Sequence, residues 1–136
     1  MLKNAIALAL CLSVLSGATQ ARSSKVDKTL DANLRAYALA VRWNDFNAAS
    51  TFIDPELRTP EGFTEADENY YKRFQISGYA LKSALRPDAQ TYNQRVELRI
   101  IDVDYQTERT LTDRQSWRYD ATTKRWWLTS GLPKLD

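Results

Sequence analysis

The sequence predicts an α+β fold in which N-terminal helices pack on a curved four-stranded antiparallel sheet. After residue 22, the first half of the chain carries apolar residues at helical spacing. The second half instead alternates apolar and polar residues between short polar turns, which is typical of strands. Gly78 interrupts the first extended segment and indicates a bulge that bends the sheet. Helices that come before the strands, rather than between them, favour α+β over α/β.

The N-terminal segment has the three parts of a secretory signal. Lys3 supplies the positive start, residues 5–15 form an apolar run, and small residues up to Ala21 precede Arg22. The apolar run is too short to span a membrane, and no second such run follows. We therefore predict a cleaved signal peptide over residues 1–21, a single domain over residues 22–136, and no transmembrane segment. The expected location is outside the cytoplasm, with the periplasm preferred over full secretion.

The residue types that usually carry metal or nucleophilic chemistry are scarce. The chain has one cysteine and no histidine. Cys11 lies inside the predicted signal, and Leu10 stands where a lipoprotein signal needs a small residue, so lipidation at Cys11 is disfavoured. Asp102, Asp104 and Asp120 lack the spacing of a calcium loop. We predict no cofactor and no metal site, and the net charge of +2 gives no support to nucleic-acid binding.

Three helices are expected. A capping box of Ser24 and Asp27 predicts the start of a long amphipathic helix. A short second helix is predicted over residues 47–53, where Pro55 ends it, and Thr64 with Asp67 predicts the start of a third. The apolar face of the long helix comprises Val26, Leu30, Leu34, Tyr37, Val41 and Ala48.

Four strands are expected in an antiparallel meander. The first covers residues 74–85 and is stopped by residues 86–88; the second turns Val96, Leu98 and Ile100 to one face, with a phase shift at residues 101–103 that indicates a bulge. Turns are predicted at residues 106–107 and 120–124. The last two strands are marked by shared faces, listed as Leu111, Trp117 and Tyr119 for the third and Trp126 and Leu128 for the fourth.

This order of elements resembles the nuclear transport factor 2-like superfamily of cone-shaped α+β rolls. The resemblance lies in the helix-turn segment 37–49 and in the closing segments 115–120 and 125–133. It covers nearly all of residues 22–136 and is one of pattern, without a diagnostic motif. The superfamily includes isomerase-like and cyclase-like enzymes, dehydratases, transport adaptors and small exported domains, so the fold alone selects no function.

The resemblance implies catalysis by a His/Asp pair, or by an Asp with Tyr, deep in the cone. The absence of histidine removes the first arrangement. The resemblance also implies dimerisation through the exposed sheet face, against which the arginines on that face argue, because a two-fold axis would bring like charges together. A homodimer therefore stays open.

The third strand carries the pocket candidates. Alternation places Asp113, Gln115, Trp117 and Tyr119 on one face, together with Arg109 and Leu111. If a pocket is open there, Asp113 could accept a proton while Tyr119 or a tyrosine of residues 70–79 donates to an oxyanion. The favoured alternative is that this end of the strand extends past the helices into water.

The opposite sheet face carries the candidates for a partner surface. A turn at residues 106–107 places Arg95 opposite Arg118 and Arg99 opposite Arg114, and such like pairs need acidic neighbours or an anionic partner. The favoured interpretation is a solvated face. The alternative is a docking surface for a phosphate-bearing lipid, a cell-wall polymer or an acidic protein. Trp127 must point away from Trp126, so it either contacts a partner or packs on an arginine stem.

These observations favour a non-enzymatic exported domain. The expected partner is a small apolar ligand in the cone, an envelope protein or an anionic envelope component, and no catalytic residue is assigned. The alternative is a small isomerase-like or cyclase-like enzyme that uses Asp113 with tyrosine donors.

Overall fold

The computed structural model describes residues 17–136, with side chains from residue 25 onward. Most of the predicted signal peptide, residues 1–16, lies outside the described residues. Within them the α+β class is confirmed: three α-helices precede an open antiparallel sheet of strand order β1-β2-β3-β4. No helix in the described part of the chain is long and apolar enough to cross a membrane. The elements are α1 Gly17–Arg42, α2 Phe46–Ser50, a 3-10 helix Pro55–Leu57, α3 Glu65–Tyr71, β1 Phe74–Asp88, β2 Thr91–Asp102, β3 Thr107–Asp120 and β4 Arg125–Leu128.

The long helix α1 buries the predicted face, except that Ala48 belongs to α2. Leu30, Tyr37 and Val41 are buried, and Val26 and Leu34 pack against the same core. The predicted helix start was wrong, because α1 begins at Gly17 and the segment 24–27 lies inside it. The carboxylate of Asp27 is therefore free to pair across the fold, and the Arg86 guanidinium lies 2.6 Å from it.

The connections after α1 are held by side chains that bond to the backbone. Asn44 adopts a left-handed φ of 58°, and its amide donates to the carbonyl of Phe74 and accepts from the N–H of Ile76. This anchors the start of β1 to the end of α1. The predicted capping box of α3 is confirmed, since Thr64 and Asp67 bond to each other's backbone N–H.

Strand β1 is an edge strand with the predicted irregularity. Its pairing with β2 shifts register between Ile76 and Gly78, and a Cβ at Gly78 would lie 3.1 Å from the Cβ of Arg99. A glycine therefore lets the two backbones approach at the bulge. A second shift follows between Leu81 and Ser83, and the strand continues to Asp88 rather than ending at residue 85.

The turn between β2 and β3 was predicted in the wrong place. Asp102 pairs with Thr107, so the turn consists of residues 103–106 and not residues 106–107. The Asp102 carboxylate accepts from the N–H groups of Asp104 and Tyr105 at 3.0 and 3.1 Å, which stabilises the earlier turn. The change in alternation at residues 101–103, which predicted a bulge, thus marks the end of β2 at Asp102.

The corrected turn changes which arginines face each other. Arg95 lies opposite Arg114, whereas Arg118 lies opposite Thr91 and Arg99 opposite Thr110. The predicted pairs Arg95 with Arg118 and Arg99 with Arg114 were therefore wrong. The error has a simple cause, because moving the centre of a hairpin turn by two residues moves every cross-strand pair by four.

The core lies between the helices and one sheet face, which we call the inner face; the opposite side is the outer face. Val96, Leu98 and Ile100 of β2 are fully buried on the inner face, as their alternation predicts. Trp117 of β3 packs edge-on against Tyr37 and Phe52, with ring centroids 5.3 and 6.2 Å apart. The main buried volume beside β3 is thus filled with aromatic rings.

Candidate functional site

The predicted pocket residues lie on the inner face of β3. Asp113 and Gln115 are only 8% and 1% exposed, and Trp117 is buried, whereas Tyr119 is half-buried and packs against Trp126. Alternation along the strand therefore placed all four on the predicted side. The favoured expectation, that this end of β3 extends past the helices into water, was therefore wrong, because Asp113 and Gln115 are buried.

Gln115 joins these residues into a hydrogen-bonded network. Its Nε2 donates to Oδ2 of Asp113 at 2.8 Å and to the Tyr79 hydroxyl at 3.1 Å. Its Oε1 accepts from Gln94 at 2.7 Å and more weakly from the Trp117 indole at 3.4 Å. Both polar ends of Gln115 are thus engaged, which makes it a structural link rather than a group waiting for a ligand.

The network and the buried side chains near it include groups with shifted pKa values. Burial raises the pKa of Asp113, and the hydrogen bond from Gln115 offsets part of that effect. Burial also raises the pKa of Tyr79 to about 12 and that of the fully buried Tyr37 well above its ordinary value. Sequence reasoning named only residues 70–79 as the source of a tyrosine. Tyr79 pairs with the inner-face residue Leu98. Alternation along β1 would have placed Tyr79 on the inner face if the prediction had allowed for the register shift at Gly78.

Replacing Asp113 by asparagine is expected to stabilise the protein at neutral pH. The raised pKa of Asp113 means that folding favours the neutral carboxyl. The contribution of the neutral carboxyl to the free energy of unfolding is fully present below the unfolded-state pKa of about 4. It is lost as the pH rises through the folded-state pKa. The free energy of unfolding of the Asp113→Asn variant should therefore increase relative to that of wild type as the pH rises. Urea unfolding at acidic and neutral pH measures this difference.

The exposed Asp104→Asn variant is the matched control, because it removes one carboxylate at the surface without touching the buried network. An Asp113→Asn variant that loses stability at neutral pH would show that the ionised carboxylate is accommodated in the fold.

The outer face carries a patch of two short rows, which we call the Arg95/Arg114 patch. Ser83, Arg95 and Arg114 form one row across β1, β2 and β3. Leu85, Asn93 and Ser116 form the next. These six residues line a depression of about 460 Å³.

The two arginines of the patch have no acidic partner. In the described residues no carboxylate oxygen comes within 4.0 Å of either guanidinium, although Nε of Arg95 donates to the Ser83 hydroxyl at 3.1 Å. The next charges on the outer face are neutralised instead: Arg99 lies 3.3 Å from Glu108 and Lys82 lies 3.8 Å from Glu97. Positive charge on this face is therefore concentrated at Arg95 and Arg114.

Arg118 and Trp127 belong to a covered part of the outer face. The guanidinium of Arg118 binds the buried carboxylate of Asp54 through both Nε and Nη2, the second at 2.9 Å. This hydrogen bonding lowers the pKa of Asp54. Sequence reasoning missed Asp54, although an aspartate before Pro55 is a signal for a helix cap, and it does accept from the N–H of Glu56.

Trp127 is only 6% exposed because arginines cover it. The guanidinium carbons of Arg58 and Arg125 lie 5.3 and 4.5 Å from its ring centroid. Either a partner or the stem of an arginine was expected against this ring, whereas in the structure it is guanidinium groups that lie over it. Trp127 is thus not a free contact surface.

Three further observations bear on identity. No group of three or more metal-ligating side chains occurs among the described residues. No protein-family model matches the chain, and no curated protein sequence matches it. The chain is similar in structure to a SEC-C motif containing protein from Psychrobacter arcticus, with a TM-score of 0.55 and 11% identity over 98% of this chain and 80% of that one.

The structural likeness corrects the resemblance drawn from the sequence. The solved structure that it resembles is a SEC-C motif protein, and no family model or curated sequence supports a nuclear transport factor 2-like assignment, which was therefore wrong. The error has a physical reason: helices followed by an antiparallel meander are common to many α+β folds, and the pattern carried no diagnostic motif. At 11% identity the likeness shows the fold alone.

Proposed function

We propose that this protein is an exported, non-enzymatic domain that binds a phosphate-bearing envelope lipid through the Arg95/Arg114 patch. The single observation that carries the proposal is the pair of directly opposed arginines without an acidic partner among the described residues. Like charges facing each other across two strands are destabilising. An anion between them would remove that repulsion and receive hydrogen bonds from both guanidinium groups.

The neighbours of the arginines favour a lipid headgroup over a simple ion. Ser116 and Asn93 add a hydroxyl and an amide beside the charges, and Ser83 retains its own hydroxyl hydrogen while accepting from Arg95. Leu85 lies in the same patch with 65% of its surface exposed. An amphiphile with an anionic headgroup would satisfy the arginines and cover the leucine, whereas an acidic peptide would leave the leucine in water.

Export and the finer shape of the fold are parts of this proposal. The three-part leader over residues 1–21 supports export, and the periplasm remains the preferred compartment. The register shifts at Gly78 and Ser83 support a sheet that curves into a cone-shaped roll around the helices.

An isomerase-like or cyclase-like enzyme remains the alternative. The raised pKa of Asp113 and the nearby Tyr79 hydroxyl favour it. It has less support than lipid binding, because Gln115 uses both polar ends within the network and aromatic rings pack beside Trp117. A pH–rate profile on candidate carbonyl substrates that is unchanged in Asp113→Asn would remove this alternative.

The lipid proposal predicts charge-dependent binding to anionic vesicles. In cosedimentation, the protein should bind vesicles of phosphatidylglycerol and ignore vesicles of phosphatidylcholine. Reversing Arg95 and Arg114 together to glutamate should weaken binding about thirtyfold or more, since each basic residue at an anionic surface contributes about 1 kcal/mol. Raising the salt concentration should weaken wild-type binding as well.

The matched control reverses two exposed arginines outside the patch, Arg35 and Arg109, which changes the net charge equally. This variant should bind nearly as wild type does. Equal loss in both double variants would mean that only net charge matters and would contradict a built site. Inorganic phosphate, added as a competitor, separates recognition of the headgroup from recognition of the intact lipid surface.

A further inference from the structure

A cleft runs beside α3, away from both sites described above. It consists of two depressions of about 410 and 330 Å³. Asn47, Phe63 and Tyr71 line both depressions, so the two adjoin at these side chains. Neither depression shares a residue with the Arg95/Arg114 patch. A volume of this order suits a small organic ligand.

Aromatic rings form the centre of the cleft. Tyr71 stacks on the buried Phe46, with centroids 4.0 Å apart and planes 11° apart. Phe63 lies nearly parallel to Tyr71, at 18° and 6.3 Å. The Tyr71 hydroxyl donates to the carbonyl of Pro133 at 3.0 Å, which fixes the ring. Phe46 covers one face of the Tyr71 ring, whereas Phe63 and Tyr71 are both only half-buried, so part of this aromatic stack is open to the cleft.

The rim around this aromatic stack is rich in hydrogen-bond acceptors. The hydroxyls of Ser50 and Thr51 donate to the carbonyls of Asn47 and Ala48, both at 2.6 Å, which leaves their oxygens with acceptor capacity at the depression that they line. Asp67 uses Oδ2 in the capping box of α3. Its carboxylate therefore adds further acceptor capacity.

The charges at the cleft disfavour an anionic ligand. Arg58 is the basic residue of the larger depression, but its Nε and Nη2 donate to the carbonyls of Ile53 and Thr51, and it packs over the Trp127 ring. In the smaller depression Lys72 lies 3.3 Å from Glu68. The cations are thus engaged within the protein.

We infer that this cleft binds a neutral carbohydrate strand. A pyranose ring has an apolar C–H face that packs on an aromatic ring, and its equatorial hydroxyls donate to acceptors around the edge. The cleft presents that combination, because its lining includes the half-buried rings of Phe63 and Tyr71 together with the oxygens of Ser50, Thr51 and Asp67. Two adjoining depressions accommodate successive sugar rings, so an oligosaccharide fits better than a monosaccharide. The inference does not depend on lipid binding at the other surface.

The test is a titration of the full chain with neutral trisaccharides, namely chitotriose, cellotriose and maltotriose, followed by amide chemical shifts. Saturable shifts within residues 44–75 with at least one of them are expected. Phe63→Leu keeps an apolar side chain but removes the ring face, and it should weaken that binding about tenfold. Asn47→Ala changes only an exposed amide and should weaken it severalfold.

The Arg95→Glu, Arg114→Glu double variant is the control, and its sugar binding should equal that of wild type. The inference is overturned if none of the trisaccharides shifts these amides, or if the shifts persist with equal affinity in both Phe63→Leu and Asn47→Ala. Because Asn47 is exposed, its variant remains informative even if Phe63→Leu unfolds. Vesicle binding by the Asn47→Ala variant should be unchanged, so failure at one site is distinguished from failure at the other.

Discussion

Truncating Trp117 to alanine is expected to lower the free energy of unfolding by about 3–5 kcal/mol, the range measured for buried aromatic residues. Trp117 is 1% exposed and contacts Tyr37 and Phe52 edge-on, so its removal leaves a cavity bounded by rigid rings. Gln115 would also lose a weak hydrogen-bond donor. A loss of this size is a large part of the stability of a small domain, about 5–15 kcal/mol. Urea unfolding followed by circular dichroism measures it.

The same experiment separates a filled interior from a ligand pocket beside β3. Trp117→Phe retains most of the apolar volume and should cost clearly less than Trp117→Ala. If Trp117→Ala costs little, the ring lines an existing cavity, and the enzyme alternative regains support. If it costs what we expect, the space beside Trp117 is a packed core.

Removing the carboxylate of Asp54 is expected to have the second-largest effect. Asp54→Ala should destabilise the protein by about 2 kcal/mol, within the range of about 1.5–3 kcal/mol for hydrogen bonds to charged groups. Asp54 is nearly fully buried, but the side chain of Arg118 is 34% exposed, so water can still solvate the guanidinium that is left. The cap on Pro55–Leu57 is lost in the same variant. Thermal and urea unfolding at neutral pH measure the loss.

The pH dependence of this pair has the opposite sign to that of Asp113. The hydrogen bonds from Arg118 lower the pKa of Asp54 in the folded state. Its contribution is therefore present above the unfolded-state pKa of about 4 and is lost as the pH falls through the folded-state pKa. Wild type should lose its advantage over Asp54→Asn on acidification below about pH 4. A constant difference between the two proteins down to pH 2 would contradict a lowered pKa.

Local patterns were enough to predict most elements of the fold. Thr64 and Asp67 bond within one turn, and Val96, Leu98 and Ile100 alternate within one strand, so each signal lies inside the segment that it describes. The start of α1 was predicted wrongly because a local pattern cannot show whether the residues before it are helical too. Ser24 and Asp27 have the spacing of a capping box, but the residues before them are also helical in the structure.

The candidate sites depended on relationships between segments. The predicted hairpin turn was two residues away from the observed one, which gave Arg95 and Arg99 the wrong cross-strand partners. The arginines were therefore predicted on the correct face but in the wrong pairs. Asp54 is 64 positions from Arg118 along the chain, and no local pattern links them. The cleft beside α3 was not predicted, because Asn47, Phe63 and Tyr71 come from separate segments.

The sequence by itself determined the α+β class, the order of helices and strands, the inner face of β3 and the lack of histidine, because these follow from composition and from periodicity within single segments. Only the tertiary structure decided that Arg114 faces Arg95, that Asp54 neutralises Arg118, and that arginines cover Trp127. Charge pairing and burial depend on distances between side chains that are remote in the chain. Those distances are set by the register of the hairpin and by the packing of the loop 51–59, which no single segment encodes.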